Sequence, residues 1–364
     1  MKMTLPLIEF KSLIGSVLPA IPRKHPREIY TAVRVEADGQ NLTVSGTDGD
    51  IYVRSRMACE AEGQWCVSVT MLYKLLGTLD GDEVTLETDK AGSKIRVRSG
   101  RADFRLQCFD AAEYPAWQGY EGEYATVEAQ TKSLLLGLSR VSFATDAEST
   151  RYALGSVQFA TGGASATVAA TDSRRLAVAD IKLTDDLHHP ILVPKAACDL
   201  VAKGLVGRGD DVKMHYTKHW VGFEADGFEL FGRQQEGRFP RWQDVVPKRK
   251  ESRVLPLTVG QLHNKVNQAS ILTAEESRGV DFEFGDGVLT MRTSTADVGQ
   301  SKVELVIGES EIRETVSLDP RYLQPMLAIL DPEELVEVQI TDGESAVRWD
   351  VDGYTYVMMP LAKE

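Results

Sequence analysis

Histidine and cysteine are the side chains most able to do chemistry, because they bind metals and act as bases or nucleophiles. The chain has six histidines and four cysteines, with no C-x-x-C pair. His215 and His219 are four residues apart, which suits metal only on a helix, and their segment has the pattern of a strand hairpin. His188 and His189 are adjacent, so on a strand they would point to opposite faces. We therefore expect no metal centre and no cofactor.

The cysteines leave two interpretations open. Four cysteines could form two disulfides, but a chain of 364 residues does not need them for stability. Reduced, buried thiols are favoured, and they indicate a cytosolic setting. The apolar run at 13–21 is interrupted by Pro19 and is better explained as the end of an amphipathic helix than as a signal peptide. No apolar run approaches the ~20 residues that span a bilayer.

Motifs of catalysis are absent from the sequence. It contains no P-loop, no G-x-S-x-G, no H-E-x-x-H and no distinctive pair of carboxylates. A hydrolase or a metal enzyme remains an alternative, but we predict a non-catalytic protein.

A polar interruption between two apolar stretches is more informative. Residues 168–181 have the pattern of a strand, a Thr171-Asp172-Ser173 turn and a second strand, with Arg174 and Arg175 at the end of the turn. The turn recurs in the chain, because residues 42–49 (LTVSGTDG) resemble residues 166–173 (ATVAATDS). The equivalent aspartates are 124 residues apart.

The recurrence extends to the whole chain. A third copy is marked by Thr290, which follows Thr43 and Thr167 at spacings of 124 and 123 residues. Tyr114-Pro115, Phe239-Pro240 and Met359-Pro360 close strand-rich stretches in each copy. Units this long are whole domains rather than solenoid repeats. We place the three domains at residues 1–124, 125–250 and 251–364.

Each copy is predicted to contain two helices, and the remainder alternates with the period of strands joined by Asp-Gly turns. The sequence therefore predicts an α+β protein of three repeated domains with antiparallel sheets. The predicted helices are Leu7–Leu18, Met71–Leu79, Thr131–Val141, Pro194–Leu205, Thr258–Thr273 and Pro320–Leu330.

The distribution of charge is uneven. The chain has a net charge of −13, which argues against a general nucleic-acid binder. The six predicted helices nevertheless carry eight Lys or Arg residues against only Glu9 and Asp199. Lysine is common on exposed helix faces, but the asymmetry in all three copies favours one basic surface suited to a polyanion backbone.

Four segments in order resemble the bacterial DNA polymerase III beta subunit family, the sliding clamps: Arg151–Leu154, Ala170–Ala177, Gly237–Pro247 and Tyr356–Leu361. The resemblance implies a homodimeric ring of two head-to-tail chains whose helices line a hole for duplex DNA, held without sequence preference. It implies a processivity factor in DNA replication, cytoplasmic and nucleoid-associated, that tethers the replicative polymerase, the clamp loader and repair proteins through short linear peptides.

The resemblance also implies a peptide-binding pocket between domains II and III. Carried over by position, its residues are Leu154, Thr171, Ser173, Arg174, Arg175, Leu176, Pro240, Val245, Tyr322, Met359, Pro360 and Leu361. Leu154, Leu176 and Met359 would also suit ordinary core packing. The chain departs from the family pattern with Ser173-Arg174 where Gly-His is usual, Asp244 where a basic residue is common, Ser277 where an aromatic is common, and Ala362-Lys363-Glu364 at its end.

Two further sets follow from the resemblance. The dimer interface would pair Phe104 and Leu106 with Ile271 and Leu272, although a sheet core would also explain Phe104 and Leu106. The DNA-facing residues would be Arg23, Lys24, Lys74, Lys132, Arg140, Tyr152, Lys195, Lys203, Lys265 and Arg321, with Glu148 weakening that surface. A protein-binding scaffold that never meets DNA is the second alternative, but it leaves the basic helices without a use.

Overall fold

The computed structural model describes residues 1–117, 119–120, 122–146, 153–162, 165–273, 279–295 and 299–362. The described chain divides into two compact units. The first comprises Met1–Leu135 with Lys182–Glu236, and the second comprises Leu136–Ile181 with Gly237–Glu364. The predicted domain boundaries near residues 124 and 250 stay predictions.

Six α-helices lie within the described residues: α1 Leu7–Val17, α2 Val69–Leu76, α3 Thr131–Val141, α4 Lys195–Gly204, α5 Val259–Ala269 and α6 Pro320–Ala328. The six predicted helices are confirmed, with ends that differ by a few residues. The predicted end at Thr273 differs because a short 3-10 helix, Ser270–Leu272, follows α5. The helices form because their apolar residues recur every three or four positions, as in α1, which buries Leu7, Phe10, Leu13, Ile14 and Val17.

The strands carry most of the ordered chain. They are β1 Lys2–Pro6, β2 Ala32–Asp38, β3 Asn41–Thr47, β4 Ile51–Ala58, β5 Glu62–Ser68, β6 Glu83–Thr88, β7 Lys94–Ser99, β8 Ala102–Gln107, β9 Ala125–Gln130, β10 Ser156–Gly162, β11 Ser165–Thr171, β12 Arg175–Ile181, β13 Ile191–Pro194, β14 Asp211–Tyr216, β15 Trp220–Ala225, β16 Phe228–Arg233, β17 Val254–Thr258, β18 Val280–Gly285, β19 Val288–Thr295, β20 Gly299–Val306, β21 Thr315–Leu318, β22 Leu335–Gln339, β23 Val347–Val351 and β24 Tyr354–Met358.

The order of these elements repeats three times. Each copy runs strand, helix, three strands, strand, helix, three strands within the described residues. The α+β class and the threefold repeat are therefore confirmed. The strand–turn–strand at β11 and β12 and the hairpin of β14 and β15 are also present as predicted.

The first unit contains two antiparallel sheets. One has the strand order β1-β6-β7-β8, and the other has the order β5-β2-β3-β4-β16-β15-β14-β9. In the larger sheet, β4 of the first copy pairs with β16 of the second, with Tyr52 opposite Phe231. The outward faces of β2, β3 and β4 carry polar residues, and the inward faces carry buried residues such as Val33, Val35 and Val44.

The second unit repeats this arrangement. Its strands include a sheet of order β20-β19-β18-β21 and a run of order β10-β11-β12-β24-β23-β22-β17. Here β12 of the second copy pairs with β24 of the third, with Leu176 opposite Val357. Helices α5 and α6 pack together, and their buried residues include Leu262, Val266 and Leu323. The β12–β24 pairing brings the turn before β12 next to the end of β24.

Candidate functional site

The turn between β11 and β12 is organised by one aspartate. Asp172 Oδ1 accepts hydrogen bonds from the amides of Arg174 and Arg175, at 3.0 and 2.9 Å. Thr171 Oγ1 accepts from the Ser173 amide at 3.1 Å and donates to the Arg175 carbonyl at 2.6 Å. Ser173 has a φ of 76°, a left-handed conformation that glycine adopts more easily. The Thr-Asp pair therefore holds a tight turn that points Ser173 and Arg174 outward.

The first copy builds the same turn. Asp48 Oδ1 accepts from the amides of Asp50 and Ile51 at 2.9 and 2.8 Å, and Thr47 Oγ1 accepts from the Gly49 amide at 2.9 Å. Gly49 takes the left-handed position, with a φ of 103°. The prediction that Thr-Asp is a structural corner shared by two copies is confirmed.

Arg175 is held from several sides. Its Nε donates to Asp172 Oδ2 at 2.9 Å, and its Nη2 donates to the Phe143 carbonyl at 2.7 Å. Its guanidinium carbon lies 5.3 Å from the Phe143 ring centroid and 5.0 Å from that of Tyr322. Both side chains of the Arg175–Asp172 ion pair are only 12% exposed. Because its Nε and Nη2 donate within the protein, Arg175 stabilises this corner.

Arg174 connects the turn to the third copy. Its carbonyl accepts a hydrogen bond from the Met359 amide at 2.8 Å, and its Nη1 donates to the Tyr322 hydroxyl at 3.2 Å. Burial raises the pKa of the neighbouring Tyr356 phenol, which donates to the Tyr322 carbonyl at 2.7 Å. These bonds fix the position of Met359 beside the turn.

An open, largely apolar groove of about 490 Å³ lies at this corner, within the second unit. We call it the Leu176 groove. It is lined by Thr171, Ser173, Arg174, Arg175, Leu176, Arg238, Phe239, Pro240, Arg241, Trp242, Val245, Val357 and Met359. Its rim exposes two large apolar side chains, Val245 at 60% and Met359 at 51%. Apolar side chains that remain in water at the rim of a groove favour the binding of another apolar surface.

Eight of the twelve predicted pocket residues line the Leu176 groove. The other four lie nearby or below it. Leu154 is buried with 3% exposure, and Tyr322 contacts Arg174 from outside the lining. Pro360 and Leu361 are partly buried, and the Leu361 amide donates to the Ser317 carbonyl at 2.8 Å. The assignment of all twelve to peptide binding stays a prediction.

Five lining residues were not among those predicted: Arg238, Phe239, Arg241, Trp242 and Val357. Four of them belong to the Gly237–Pro247 motif, so the signal was present in the sequence. Trp242 is held in place because its Nε1 donates to Gln158 Oε1 at 3.1 Å. Val357 becomes a lining residue through its pairing opposite Leu176, which spacing along the chain does not reveal.

At the equivalent corner of the first copy, the described residues include larger, aromatic side chains. There Tyr52 and Phe231 replace Leu176 and Val357 as the facing pair of the sheet. Tyr120, which aligns with Val245, lies 6.1 Å from Phe231 and stacks at 5.4 Å on Trp220, centroid to centroid. Among the described residues, these aromatic rings therefore pack at the position that the open Leu176 groove takes in the middle copy.

The predicted DNA-facing residues differ in their freedom to contact a ligand. Arg23, Lys24, Lys74, Lys132 and Lys203 are exposed, and Lys265 is half-buried. Three others interact within the chain: Arg140 donates to the Asp352 carbonyl, Lys195 pairs with Asp199 and Arg321 pairs with Asp319. Tyr152 and Glu148 lie outside the described residues, as do Ser277, Lys363 and Glu364.

The predicted interface residues are surface residues of the chain. Phe104 is 41% exposed on the edge strand β8, and Leu106 is partly exposed on the same strand. Ile271 is 74% exposed in the short 3-10 helix after α5, where Leu272 is half-buried. Phe104 and Ile271 are not used in the core of the chain.

The cysteine and histidine side chains that could bind a metal ion are spread over the described part of the chain. All four cysteines are free thiols, and burial raises the pKa of Cys66 to about 12 and that of Cys108 to about 11. In the part of the chain that the structure describes, no three His, Cys, Asp or Glu side chains are placed to hold a metal ion. None of the described helices is both long and apolar enough to cross a membrane.

Comparison with known proteins gives matches along the whole chain. Family models of the DNA polymerase III beta subunit match residues 1–118 with the N-terminal domain, 128–241 with the central domain and 243–362 with the C-terminal domain. The beta sliding clamp of Chlamydia pneumoniae is 25% identical over 370 residues, covering 99% of both chains. That of Pseudomonas aeruginosa is 24% identical over 355 residues, covering 95% of both.

Solved structures agree in fold. The sliding clamp of Bartonella birtlesii bound to griselimycin superposes with a TM-score of 0.90 at 22% identity, and the Pseudomonas aeruginosa clamp bound to griselimycin with 0.89 at 21%. Both comparisons cover the full length of both chains. The three family models together span nearly the whole sequence, so the chain belongs to the DNA polymerase III beta subunit family, the beta sliding clamps.

Proposed function

We propose that this chain is the DNA sliding clamp of its replication system, a homodimeric ring that encircles duplex DNA and tethers the replicative polymerase, the clamp loader and repair proteins. Membership of the family supports this role, because beta sliding clamps are non-catalytic processivity factors of DNA polymerase III. The function requires a closed ring, a surface for DNA and a docking groove, and each has a counterpart among the described residues. The place of action is the cytoplasm, at replicating DNA.

The pairing of strands supports the ring. At the junctions between consecutive copies, β4 pairs with β16 and β12 pairs with β24. By position in the repeat, the counterparts of these strands at the two ends of the chain are β20 and β8. Both are edge strands of four-stranded sheets within the described chain. Exposed edges are templates for pairing with another chain, so β8 of one protomer would join β20 of its partner, head to tail.

The positions of four apolar residues support this pairing. Phe104 and Leu106 belong to β8, and the helix that contains Ile271 and Leu272 contacts β20. Two such junctions close a ring of two chains, since each chain supplies one β8 and one β20.

The helices supply the DNA surface. They carry eight basic and two acidic residues in a chain whose net charge is −13, so the rest of the molecule is strongly acidic. Lys74, Lys132 and Lys203 are exposed on three different helices. Lysines bind phosphates through flexible point charges and read no bases, which suits a ring that must slide. Arg140, Lys195 and Arg321 already have partners within the chain and would contribute less.

The Leu176 groove is proposed as the docking site for partner peptides. Its apolar floor would take leucine or aromatic side chains, and Met359 at its rim can adapt to several ligands. Arg174, exposed at the turn, would hold a polar or carbonyl group of the peptide.

The observation that carries this proposal is that β8 and β20 remain edge strands although their counterparts in the repeat pair at both internal junctions. The test is to load the purified protein on nicked circular DNA with the clamp loader and isolate the complex by gel filtration. We expect retention on the circle and release when a restriction enzyme linearises it. Equal dissociation from the intact and the cut circle would refute the ring, and would favour a scaffold that binds proteins without DNA.

A further inference from the structure

A second cavity, of about 370 Å³, lies on the outward face of the first copy, within the first unit. We call it the Arg54 cavity. Its lining includes Arg34, Glu36, Tyr52, Arg54, Arg56 and Trp117. These arginines lie on neighbouring strands: Ser45 of β3 is paired with Arg34 of β2 on one side and with Arg54 of β4 on the other. The proposed clamp function makes no use of this cavity.

Two of the three arginines have carboxylate partners. Arg34 Nη2 lies 3.1 Å from Glu36 Oε2 and donates to Gln64 Oε1 at 2.9 Å. Arg56 forms an ion pair with Glu229. Their charges are therefore balanced inside the protein, and neither needs an external anion.

Arg54 differs from both. Among the described residues, no carboxylate lies within ion-pair distance of its guanidinium, although Glu229 and Glu36 attract it from farther away. Its Nε is buried without a hydrogen-bond partner, as is that of Arg34. The guanidinium carbon lies only 3.5 Å from the centroid of the Trp117 ring. At that distance the two planes must be nearly parallel, so the ring covers one face and the remaining N–H groups point sideways. A stacked guanidinium with free N–H groups is a preorganised receptor for a planar oxyanion.

The charge state supports an anionic ligand. Burial lowers the pKa of Arg54 to about 10, so the group remains a cation at neutral pH. Glu229 lies opposite Arg54 in the sheet but pairs with Arg56. Asp38, at the far end of the cavity, accepts hydrogen bonds from the amides of Gln40 and Asn41 in its own turn.

The fold does not require this cation. The middle copy builds the same corner with Val178 at the position of Arg54, and Val178 is buried. Trp242 stands at the position of Trp117 there and contacts Gln158, which aligns with Arg34. In the third copy the strand register places Lys302 at this position, and Lys302 forms an ion pair with Glu304. A half-buried cation without such a carboxylate partner costs stability, so its presence in the first copy indicates a use.

We propose that the Arg54 cavity binds a carboxylate, with the Arg54 guanidinium as the hydrogen-bond donor and the Trp117 ring as the platform that orients it. The size of the cavity fits an acidic side chain of a bound protein or a small free carboxylate. The aromatic wall of Tyr52 and Trp117 would cover the methylene groups next to the carboxylate.

The experiment is fluorine NMR of the full-length protein labelled with 5-fluorotryptophan. The chain has five tryptophans, so each gives one resolvable signal, and Trp117→Phe identifies that of Trp117. Sodium glutarate, acetyl-glutamate amide, inorganic phosphate and sodium chloride are titrated at constant ionic strength. We expect a saturable shift of the Trp117 signal with one or both carboxylates and none with chloride. The buried Trp65 and Trp349 should not respond.

The variants separate the specific site from general attraction. Arg54→Gln should weaken carboxylate binding by about tenfold or more, because the donor pair is lost. Arg233→Gln removes the same charge at a side chain that is 78% exposed outside the cavity, and it should change the affinity less than about twofold. Should Arg54→Gln misfold, as judged by the Trp65 and Trp349 signals, the titration of the unaltered chain decides the question.

The two carboxylates identify the source of the ligand. Binding of acetyl-glutamate amide assigns the cavity to an acidic side chain, and binding of glutarate alone assigns it to a free dicarboxylate. Either result upholds the proposal. The absence of a saturable Trp117 shift, unchanged affinity in Arg54→Gln, or tighter binding of phosphate than of either carboxylate would overturn it.

Discussion

At the scale of single residues, the same turn serves two purposes. Asp48 and Asp172 each accept two backbone amides, so both keep a tight corner after a strand. Only Asp172 also binds an arginine, Arg175, which donates a second hydrogen bond to the Phe143 carbonyl. The equivalent aspartates therefore shape the turn in both copies. In the middle copy Asp172 also holds Arg175, which lines the Leu176 groove.

This difference predicts unequal effects of the same substitution. Asp48→Ala should lower the local free energy of unfolding by about 1 kcal/mol, since the amides of Asp50 and Ile51 lose their acceptor. Asp172→Ala should cost about 2 kcal/mol more, because Arg175 is largely buried and loses its carboxylate. Native-state amide hydrogen exchange measured on peptides of each turn gives both values. Equal losses would show that the Arg175 pair contributes nothing.

A second prediction at this scale concerns the groove. Met359→Asp should weaken binding of a peptide from the clamp-binding segment of the replicative polymerase by roughly 30-fold or more, because an unpaired charge in an apolar groove costs about 2 kcal/mol or more. Val206→Asp, at a position 71% exposed outside the groove, is the matched control and should leave the affinity unchanged. Titration calorimetry measures both, and undiminished binding by Met359→Asp would place the peptide elsewhere.

Leu154→Asp would be a poor test of peptide binding, although the sequence predicts Leu154 and Met359 alike as pocket residues. The side chain is 3% exposed and does not line the groove. An aspartate there would destabilise the core, so lost binding would report unfolding rather than a lost contact.

At the scale of elements, equivalent corners diverge through the bulk of their side chains. The aromatic cluster of the first copy depends on close approach to β15. A Cβ atom at Gly222 would lie 2.2 Å from a ring carbon of Tyr120 and 2.8 Å from its hydroxyl, so only glycine admits the ring. Tyr120 is thereby packed onto the sheet, whereas Val245, at the equivalent position, stays exposed and lines the Leu176 groove.

Gly222→Ala should therefore lower the free energy of unfolding of the first unit by about 1–3 kcal/mol, through overpacking against Tyr120. Gly232→Ala is the matched control on the adjacent strand, where the added Cβ meets Ile51 at 3.5 Å, an ordinary contact. It should change stability by less than about 0.5 kcal/mol. Denaturant unfolding followed by tryptophan fluorescence distinguishes them, and similar curves would argue against a packing role for Gly222.

At the scale of the whole molecule, the repeat and the charge distribution act together. The described chain has two internal junctions between copies, and β8 and β20, the counterparts of the strands that pair at those junctions, remain edge strands. A head-to-tail dimer supplies the missing junctions with the geometry already used inside the chain. The basic helices and the acidic remainder would then allow DNA to be held by enclosure with weak contacts.

The dimer gives the prediction at this scale. The double variant Ile271→Asp with Leu272→Asp should sediment as a monomer at micromolar concentration, because two charges would be buried without partners at the junction. Leu335→Asp, at an exposed position of β22 in the same unit and outside the sheet that contains β20, should remain a dimer. A dimer mass for the double variant would remove these residues from the interface.

The sequence by itself determined the features that depend on neighbouring residues. The six helices, the strand–turn–strand at β11 and β12 and the threefold repeat follow from periodicity and from Thr-Asp turn chemistry, which act over a few residues. The motif around Trp242 was visible for the same reason, although the role of that ring in the groove was not.

The tertiary structure decided which of these residues meet. Val357 lines the groove because β24 pairs with β12, and Leu154 is buried beneath the same corner. Arg54 becomes an unpaired cation because Trp117 packs over it while Glu229 turns to Arg56. These outcomes depend on the register of strands and on the bulk of side chains far apart in the chain, and local sequence patterns carry no information about either.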